Sequence, residues 1–558
     1  MNKKRELSII IFSLLFIFGT ILIFTIPTGI KSTYFLTTQT EDGEIISFNV
    51  FEPINGDNNK KAIIIGHGYI VNKEILKGYA IELAEAGFVA IPFDFRGHGT
   101  SSGELGRGNL TADVRAIITY LANRGDIDMN NLGYIGYSMG GSPGLEITYE
   151  NTAFKCFIGI GTWLSTTYTR IGNSTHPMNI LMILGKFDEV GNLDRLKESF
   201  GYRLGLESDE VVANRLYGSF NEGNASKIFY DDNADHLTTA WDEDFIREAR
   251  DWVISTFSDV KPINEDLFVN IRFLILIMQL IGGIGFFFII IEPLSPLILK
   301  SKKKKIKKLE LIKMSISDLS KRIISYTFLW FFVGILISIP ILIFLPLALA
   351  SFFLVFLFGQ AFAMLKLLSK IAKESGFSFY EIFKRPFKNN RKVIFRQIIL
   401  GTILASLFLI VLVASTGLNY LGMLPSIYRL PFIPIYFIGY FFVIISFSMI
   451  FQMILQEKFG KGLKEIIKSA FLNFGLLMIY IGGIILTISI ILNNFFMAIM
   501  LILAAPILLF VSLSSSFLYE KTGTIIPAAI VNALFITCLV GTLSPHSDII
   551  GLLGIFFL

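Results

Sequence analysis

Hydrophobic positions fall into three regimes along the chain. Residues 8–26 form one apolar run of about spanning length, preceded by Lys3, Lys4 and Arg5. A cleaved signal peptide has a related pattern. This run is long for one, however, and Ile26-Pro27-Thr28-Gly29 is a poor small-residue cleavage site, so an uncleaved anchor over residues 1–30 is expected. Residues 31–266 alternate strand-like and helix-like segments. Ala62-Ile63-Ile64-Ile65 is a continuous apolar run, as in a strand buried on both faces. The pattern predicts a helix over 74–87, a strand over 88–91, a helix over 110–124 and a strand over 132–135. A helix at 139–150 follows, then strands at 156–160 and 179–184. A helical insertion is read over 192–224, a strand over 227–230 and a last helix over 240–257. Such alternation predicts a doubly wound α/β sheet, and about 235 residues suit one such domain.

From residue 271 the pattern changes to long apolar runs. Spans are expected near 271–291, 323–343, 346–366, 397–417, 432–455, 474–492, 495–516 and 525–543. Pro340 and Pro346 offer a turn between the second and third. The run at 548–558 is too short to cross a bilayer as one helix. With the anchor, this makes nine full spans, eight of them in an all-α polytopic bundle over residues 267–558.

Composition agrees with a membrane protein. Of 558 residues, 53% are hydrophobic and 17% charged, which excludes both a disordered chain and an ordinary soluble enzyme. Two cysteines, Cys156 and Cys538, cannot form a disulfide scaffold. Charge is divided unevenly. Residues 31–266 hold 20 Lys/Arg against 34 Asp/Glu, whereas residues 267–558 hold 26 against 9. The basic half does not read as a nucleic-acid binder, because its charges sit in short loops beside apolar spans. Residues 300–322, 366–396 and 456–468 carry 10, 9 and 4 Lys/Arg, whereas the alternate loops carry only Arg429. Every second loop is therefore basic, as the positive-inside bias requires, and the expected topology has the N-terminus cytoplasmic and the acidic domain outside the cell membrane.

Candidate chemistry lies in the acidic domain. Gly136-Tyr137-Ser138-Met139-Gly140 matches G-x-S-x-G between a predicted strand and a predicted helix, the setting of a nucleophile elbow. A serine hydroxyl needs a base and an orienting acid to attack near neutral pH. Five histidines exist. His67 and His98 lie in glycine-rich turns, His176 precedes Pro177, and His546 follows an apolar span. His236, after the strand at 227–230, is the best base. The acid is expected after the strand at 179–184, at Asp188, with Glu189 and Asp194 as alternatives. The order Ser138, Asp188, His236 is the one the hydrolase triad follows. An oxyanion hole would use the backbone N–H groups of Tyr69, after the first buried strand, and Met139; the alternative for His67-Gly68 is a simple turn.

Gly66-His67-Gly68, Asp94–Ser101, Gly136–Gly140, Gly185–Asp188 and Asp235-His236 occur in that order. Residues 62–257 on this basis resemble the α/β-hydrolase superfamily of serine esterases, lipases and serine aminopeptidases. The resemblance implies a structural loop at 94–101, so no catalytic role is assigned to Arg96 or His98. The insertion at 192–224 is either a lid or a surface embellishment.

Residues 432–545 resemble, in a degenerate form, the CPBP intramembrane endopeptidases of the CAAX-protease and bacteriocin-processing group. The matching segments are Gln456–Gly462, Phe474–Met478 and Tyr519–Pro527. Gln456, Met478 and Asn532 stand where that family has a glutamate and two histidines. A catalytic metal needs histidine and carboxylate ligands, so the resemblance implies a helical bundle without peptidase activity.

The leading expectation is a membrane-anchored serine hydrolase that cleaves an ester or thioester, with an apolar or lipid-derived acyl group, and needs no metal or organic cofactor. Its partners would be the acyl substrate and membrane lipids, not nucleic acid. A serine peptidase on the same triad is one alternative. A transport or signalling protein whose outer domain binds without cleaving is another.

Overall fold

The computed structural model describes residues 3–55, 59–106, 110–168, 170–300, 314–388, 390–492 and 496–547. Helix α1 (Lys3–Thr25) leads into an eight-stranded sheet. Its elements, in chain order, are β1 (Ile30–Gln39), β2 (Ile45–Pro53), β3 (Lys60–Gly66), α2 (Lys77–Glu85), β4 (Val89–Phe93), α3 (Leu110–Arg124), β5 (Ile127–Tyr137), α4 (Gly141–Glu150), β6 (Phe154–Ile160), β7 (Asn179–Phe187), α5 (Leu193–Leu204), β8 (Ser226–Asp235) and α6 (Glu243–Thr256). The spatial order is β1-β2-β4-β3-β5-β6-β7-β8. β1, β2 and β4 pair antiparallel, and the remaining neighbours are parallel.

Alternation within the central strands divides the core into two layers. Ile63 and Ile65 of β3 pack with α2 and α6, whereas Ala62 and Ile64 pack on the opposite face with α3, α4 and α5. These side chains are almost wholly removed from water, and each buried isoleucine contributes roughly 1.5–3 kcal/mol. Crossover helices on both faces are what a parallel sheet requires.

Two expectations need correction. The β1–β2 hairpin is additional to the predicted elements. The helical reading of 192–224 holds only for α5. Gly205 adopts a left-handed conformation, φ +68°, and stops the helix. Turns follow, with one bridge between Tyr217 and Ser226. α5 itself buries Leu196 and Phe200 in the sheet core, so it serves as the crossover between β7 and β8 rather than as a free insertion.

The second half is helical. It comprises α7 (Val269–Leu299), α8 (Ile316–Phe344), α9 (Ala348–Glu374), the short α10 (Phe379–Lys384), α11 (Arg391–Leu412), α12 (Ile433–Ile450), α13 (Leu463–Leu492), α14 (Phe496–Thr522) and α15 (Ile526–Leu543). Among the described residues, eight helices, α1 among them, are long and apolar enough to cross a bilayer. The chain is a multi-pass membrane protein. Pro340 lies inside α8, and the break before α9 falls at Leu345–Leu347. The run at 548–558 lies outside the described residues. α1 packs on α7, where a Cβ on Gly282 would come within 2.5 Å of the Phe16 nitrogen. Small residues allow such close approach between apolar helices. Buried Arg272 adds a hydrogen bond of 2.9 Å to the Ile23 carbonyl.

Candidate active site

β5 ends at Tyr137, and the chain turns through Ser138 into α4. Ser138 has φ +50°, a conformation that costs a non-glycine residue roughly 1–2 kcal/mol. Glycine is required around it on steric grounds. A Cβ on Gly136 would lie 2.6 Å from the Gly140 carbonyl oxygen, and one on Gly140 would lie 2.5 Å from the Gly66 carbonyl oxygen.

β7 and β8 are parallel neighbours, so the residues that follow them emerge side by side. His236 Nε2 lies 3.0 Å from Ser138 Oγ. Its Nδ1 lies 2.9 Å from one Asp188 carboxylate oxygen and 3.0 Å from the other. The Asp188 side chain has no exposed surface. Burial works to raise its carboxyl, but the hydrogen bond and charge of His236, with the Val190 and Gly191 N–H groups, hold it below the usual carboxylate range. The two alternatives for the acid sit elsewhere. Glu189 accepts the backbone N–H of His236 at 3.3 Å, and Asp194 is exposed in the first turn of α5.

Two neighbours of this trio were not anticipated. Tyr137 stacks on His236 at 5.4 Å between ring centres, and its hydroxyl donates to the His236 carbonyl at 2.7 Å. Gly161, φ +53°, closes β6 so tightly that a Cβ would lie 3.0 Å from Asp188 Oδ2, His236 Nδ1 and His236 Cε1. The motif itself carried a signal for Tyr137, next to the serine. Gly161 had none beyond its place after a strand.

The 66–69 segment faces the elbow. A Cβ on Gly68 would lie 3.3 Å from Ser138 Cβ. His67 is fully buried: its Nε2 accepts the Phe95 N–H at 3.1 Å, so its Nδ1–H donates to the Gly68 carbonyl at 2.6 Å. His98 Nε2 lies 2.6 Å from the Tyr69 carbonyl. Burial lowers the two imidazoles to about 4 and about 3 respectively, so both are neutral near pH 7. Arg96 engages Asp42 and Asp113. Asp94 accepts from Lys73 at 2.5 Å and from the Thr100 N–H at 2.8 Å. His176 is exposed.

Among the described residues, Asp231, Asp242 and Asp244 form one acidic group that could gather around a cation. Asp242 already caps α6 by accepting the Asp244 and Phe245 N–H groups. In the membrane half, Gln456 donates to the Ser516 carbonyl at 2.8 Å, and Asn532 exchanges hydrogen bonds with Ser514 and Ser515. Gln456 and Asn532 thus meet on one turn of α14. Tyr519 donates to Glu457 at 3.2 Å.

Comparison with known proteins bears on the sheet domain. Residues 57–189 match the family model described as serine aminopeptidase, S33. Over these residues the sheet domain is similar to that family. An uncharacterized 31.7 kDa protein from the traX-finO intergenic region of Escherichia coli is 31% identical over 121 residues, 21% of this chain and 41% of that one. The uncharacterized protein YfhR of Escherichia coli K12 is 27% identical over 155 residues, 24% of this chain and 55% of its own length. The chain thus spans about four tenths to just over half of these curated relatives. Among solved structures, the esterase Pf2001 of Pyrococcus furiosus aligns at 17% identity and a TM-score of 0.31, over 40% of this chain and 91% of that one.

Proposed function

We propose that the protein is a membrane-anchored serine hydrolase acting on an acyl ester or thioester at the outer face of the cell membrane. The observation that carries the reading is the hydrogen-bonded series Ser138–His236–Asp188, at 3.0 and 2.9 Å, with Ser138 held at φ +50°. His236 Nε2 removes the Ser138 proton as Oγ attacks the acyl carbonyl. Asp188 orients the ring and stabilises the imidazolium. The backbone N–H groups of Tyr69 and Met139 receive the negative charge of the tetrahedral intermediate. His236 then protonates the leaving group, and water, activated by the same ring, releases the acid. The outward orientation of the domain is supported by the loops at 300–322, 366–396 and 456–468, which carry 10, 9 and 4 basic residues. A lipid-derived acyl group suits an enzyme fused to a bilayer-embedded bundle.

The description serine aminopeptidase favours one second reading, peptide hydrolysis by the same three residues. Membranes carrying the full chain test the common chemistry. A fluorescent fluorophosphonate should label the wild type and neither Ser138→Ala nor His236→Ala. Failure to label the folded wild type would remove both readings. Acyl esters and aminoacyl amides, compared as substrates, then separate them.

A further inference from the structure

Arg429 is the sole charged residue of the connection 418–431 between α11 and α12. It is also 2% exposed. Its two terminal nitrogens donate to the backbone carbonyls of Gly97 and Gly99, on the loop that follows β4 in the hydrolase domain. Burying a guanidinium against neutral acceptors is costly, and removing one partner of such a contact leaves the other uncompensated. A second segment of the membrane domain joins it. The His546 N–H donates to the Gly97 carbonyl at 2.7 Å, and the His546 carbonyl accepts from Leu105 at 2.8 Å. Its ring Nδ1 lies 3.1 Å from the Gly103 carbonyl.

The loop so held leads straight to the oxyanion segment. Gly97 and Gly99 have φ +70° and +45°, and between them His98 turns inward to the Tyr69 carbonyl at 2.6 Å. Three residues before His98, the Phe95 N–H fixes His67, which holds the Gly68 carbonyl. The Gly68 carbonyl and the Tyr69 N–H belong to one planar trans peptide, so fixing the first aims the second in the opposite direction. Asp94 anchors the interior of the loop through Lys73 and Thr100. The outward carbonyls of Gly97 and Gly99 receive their donors from the membrane domain.

We propose that the membrane domain completes the catalytic unit, with Arg429 a positioning residue that sets the Tyr69 peptide through the 94–99 loop. This rests on the serine-hydrolase reading above. The bundle is then more than an anchor: hydrolysis depends on its docking at this loop. Lys77 provides a contrast at the same interface. It donates to the Leu418 carbonyl at 2.8 Å and to Asn419 at 2.9 Å, on the α2 side of the domain.

The test uses the full-length chain in detergent, a short-chain p-nitrophenyl ester, and melting points as a check of folding. Arg429→Ala should lower kcat roughly 10- to 100-fold with KM within about twofold, the signature of a lost transition-state interaction. Arg429→Lys keeps the charge but is shorter and lacks the planar fork that holds both carbonyls in a fixed geometry, so its kcat should be intermediate. Lys77→Met should keep kcat close to the wild-type value. Wild-type kcat in folded Arg429→Ala would overturn the proposal. Equal losses in Arg429→Ala and Lys77→Met would also overturn it, by showing a docking role alone. Should Arg429→Ala fail to fold, Arg429→Lys decides: a lowered kcat at an unchanged melting point supports the proposal, and a wild-type kcat overturns it. If the wild type shows no turnover that Ser138→Ala abolishes, the hydrolase reading itself fails, and this inference with it.

Discussion

Gly161 offers a sharp test of how the site is built. Replacing it with alanine does two things. It places a side chain at φ +53°, which costs about 1–2 kcal/mol of stability. It also brings a Cβ to 3.0 Å from Asp188 Oδ2 and from two atoms of His236. Neither neighbour can yield freely, because His236 is held by Asp188 at 2.9 Å on one side and by Ser138 at 3.0 Å on the other. Relief by a few tenths of an ångström must therefore misalign the proposed base, and since a misplacement of about 1 Å costs up to about 100-fold, the rate should fall severalfold to about tenfold. Gly125 is the control. It has φ +75°, but nothing lies within 4 Å of where its Cβ would stand. Gly125→Ala should lose similar stability and keep its rate. The assay is the rate of fluorophosphonate labelling under pseudo-first-order conditions, with melting points measured in parallel. Equal labelling rates for Gly161→Ala and wild type would refute the argument that Gly161 backs the triad.

Three other outcomes are expected. Asp188→Asn should lower kcat by about 10³–10⁴ with the fold intact, as loss of the orienting carboxylate does elsewhere, whereas Glu189→Gln should stay within about tenfold of wild type; a reversed ranking would make Glu189 the acid. Stability should fall with acid. Burial lowers His67 to about 4 and His98 to about 3, while unfolded imidazoles bind protons below about 6.5, so the unfolded chain takes up more protons and is favoured as pH drops. Each ring should cost about 2 kcal/mol at about pH 5 relative to pH 7. A melting point whose acid sensitivity is the same in His98→Gln as in wild type would contradict the assignment. Finally, Cys156 and Cys538 are buried, so an impermeant maleimide on intact cells should label Glu198→Cys directly and Lys388→Cys only after permeabilisation. The opposite pattern would invert the topology.

That the structure brings Ser138, Asp188 and His236 together was legible in the sequence because each follows a strand in chain order. Ser138 lies in a dense local motif, and the other two fall after apolar runs that read as strands. A parallel sheet converts that linear order into convergence at one edge. The β1–β2 hairpin escaped notice because β1 is an edge strand of mixed exposure, without the continuous apolar run that marks β3. The helical reading of 192–224 failed beyond Gly205, where one left-handed glycine ends the helix and the chain turns instead. Tyr137, Gly161, Arg429 and His546 were missed as parts of the site for a different reason. Their roles arise from approach of elements far apart in sequence. Arg429 stood out in the sequence only as a charge in an otherwise uncharged loop, and its partners are backbone carbonyls, which carry no residue signature.

The central claim is that Ser138 becomes acylated. Full-length protein should be mixed with a p-nitrophenyl ester, quenched in acid within the first turnovers, digested and examined by mass spectrometry. One acyl adduct is expected, on the peptide containing Ser138, and Ser138→Ala should lose both the adduct and turnover. An adduct on another residue, or turnover that survives Ser138→Ala, would contradict it.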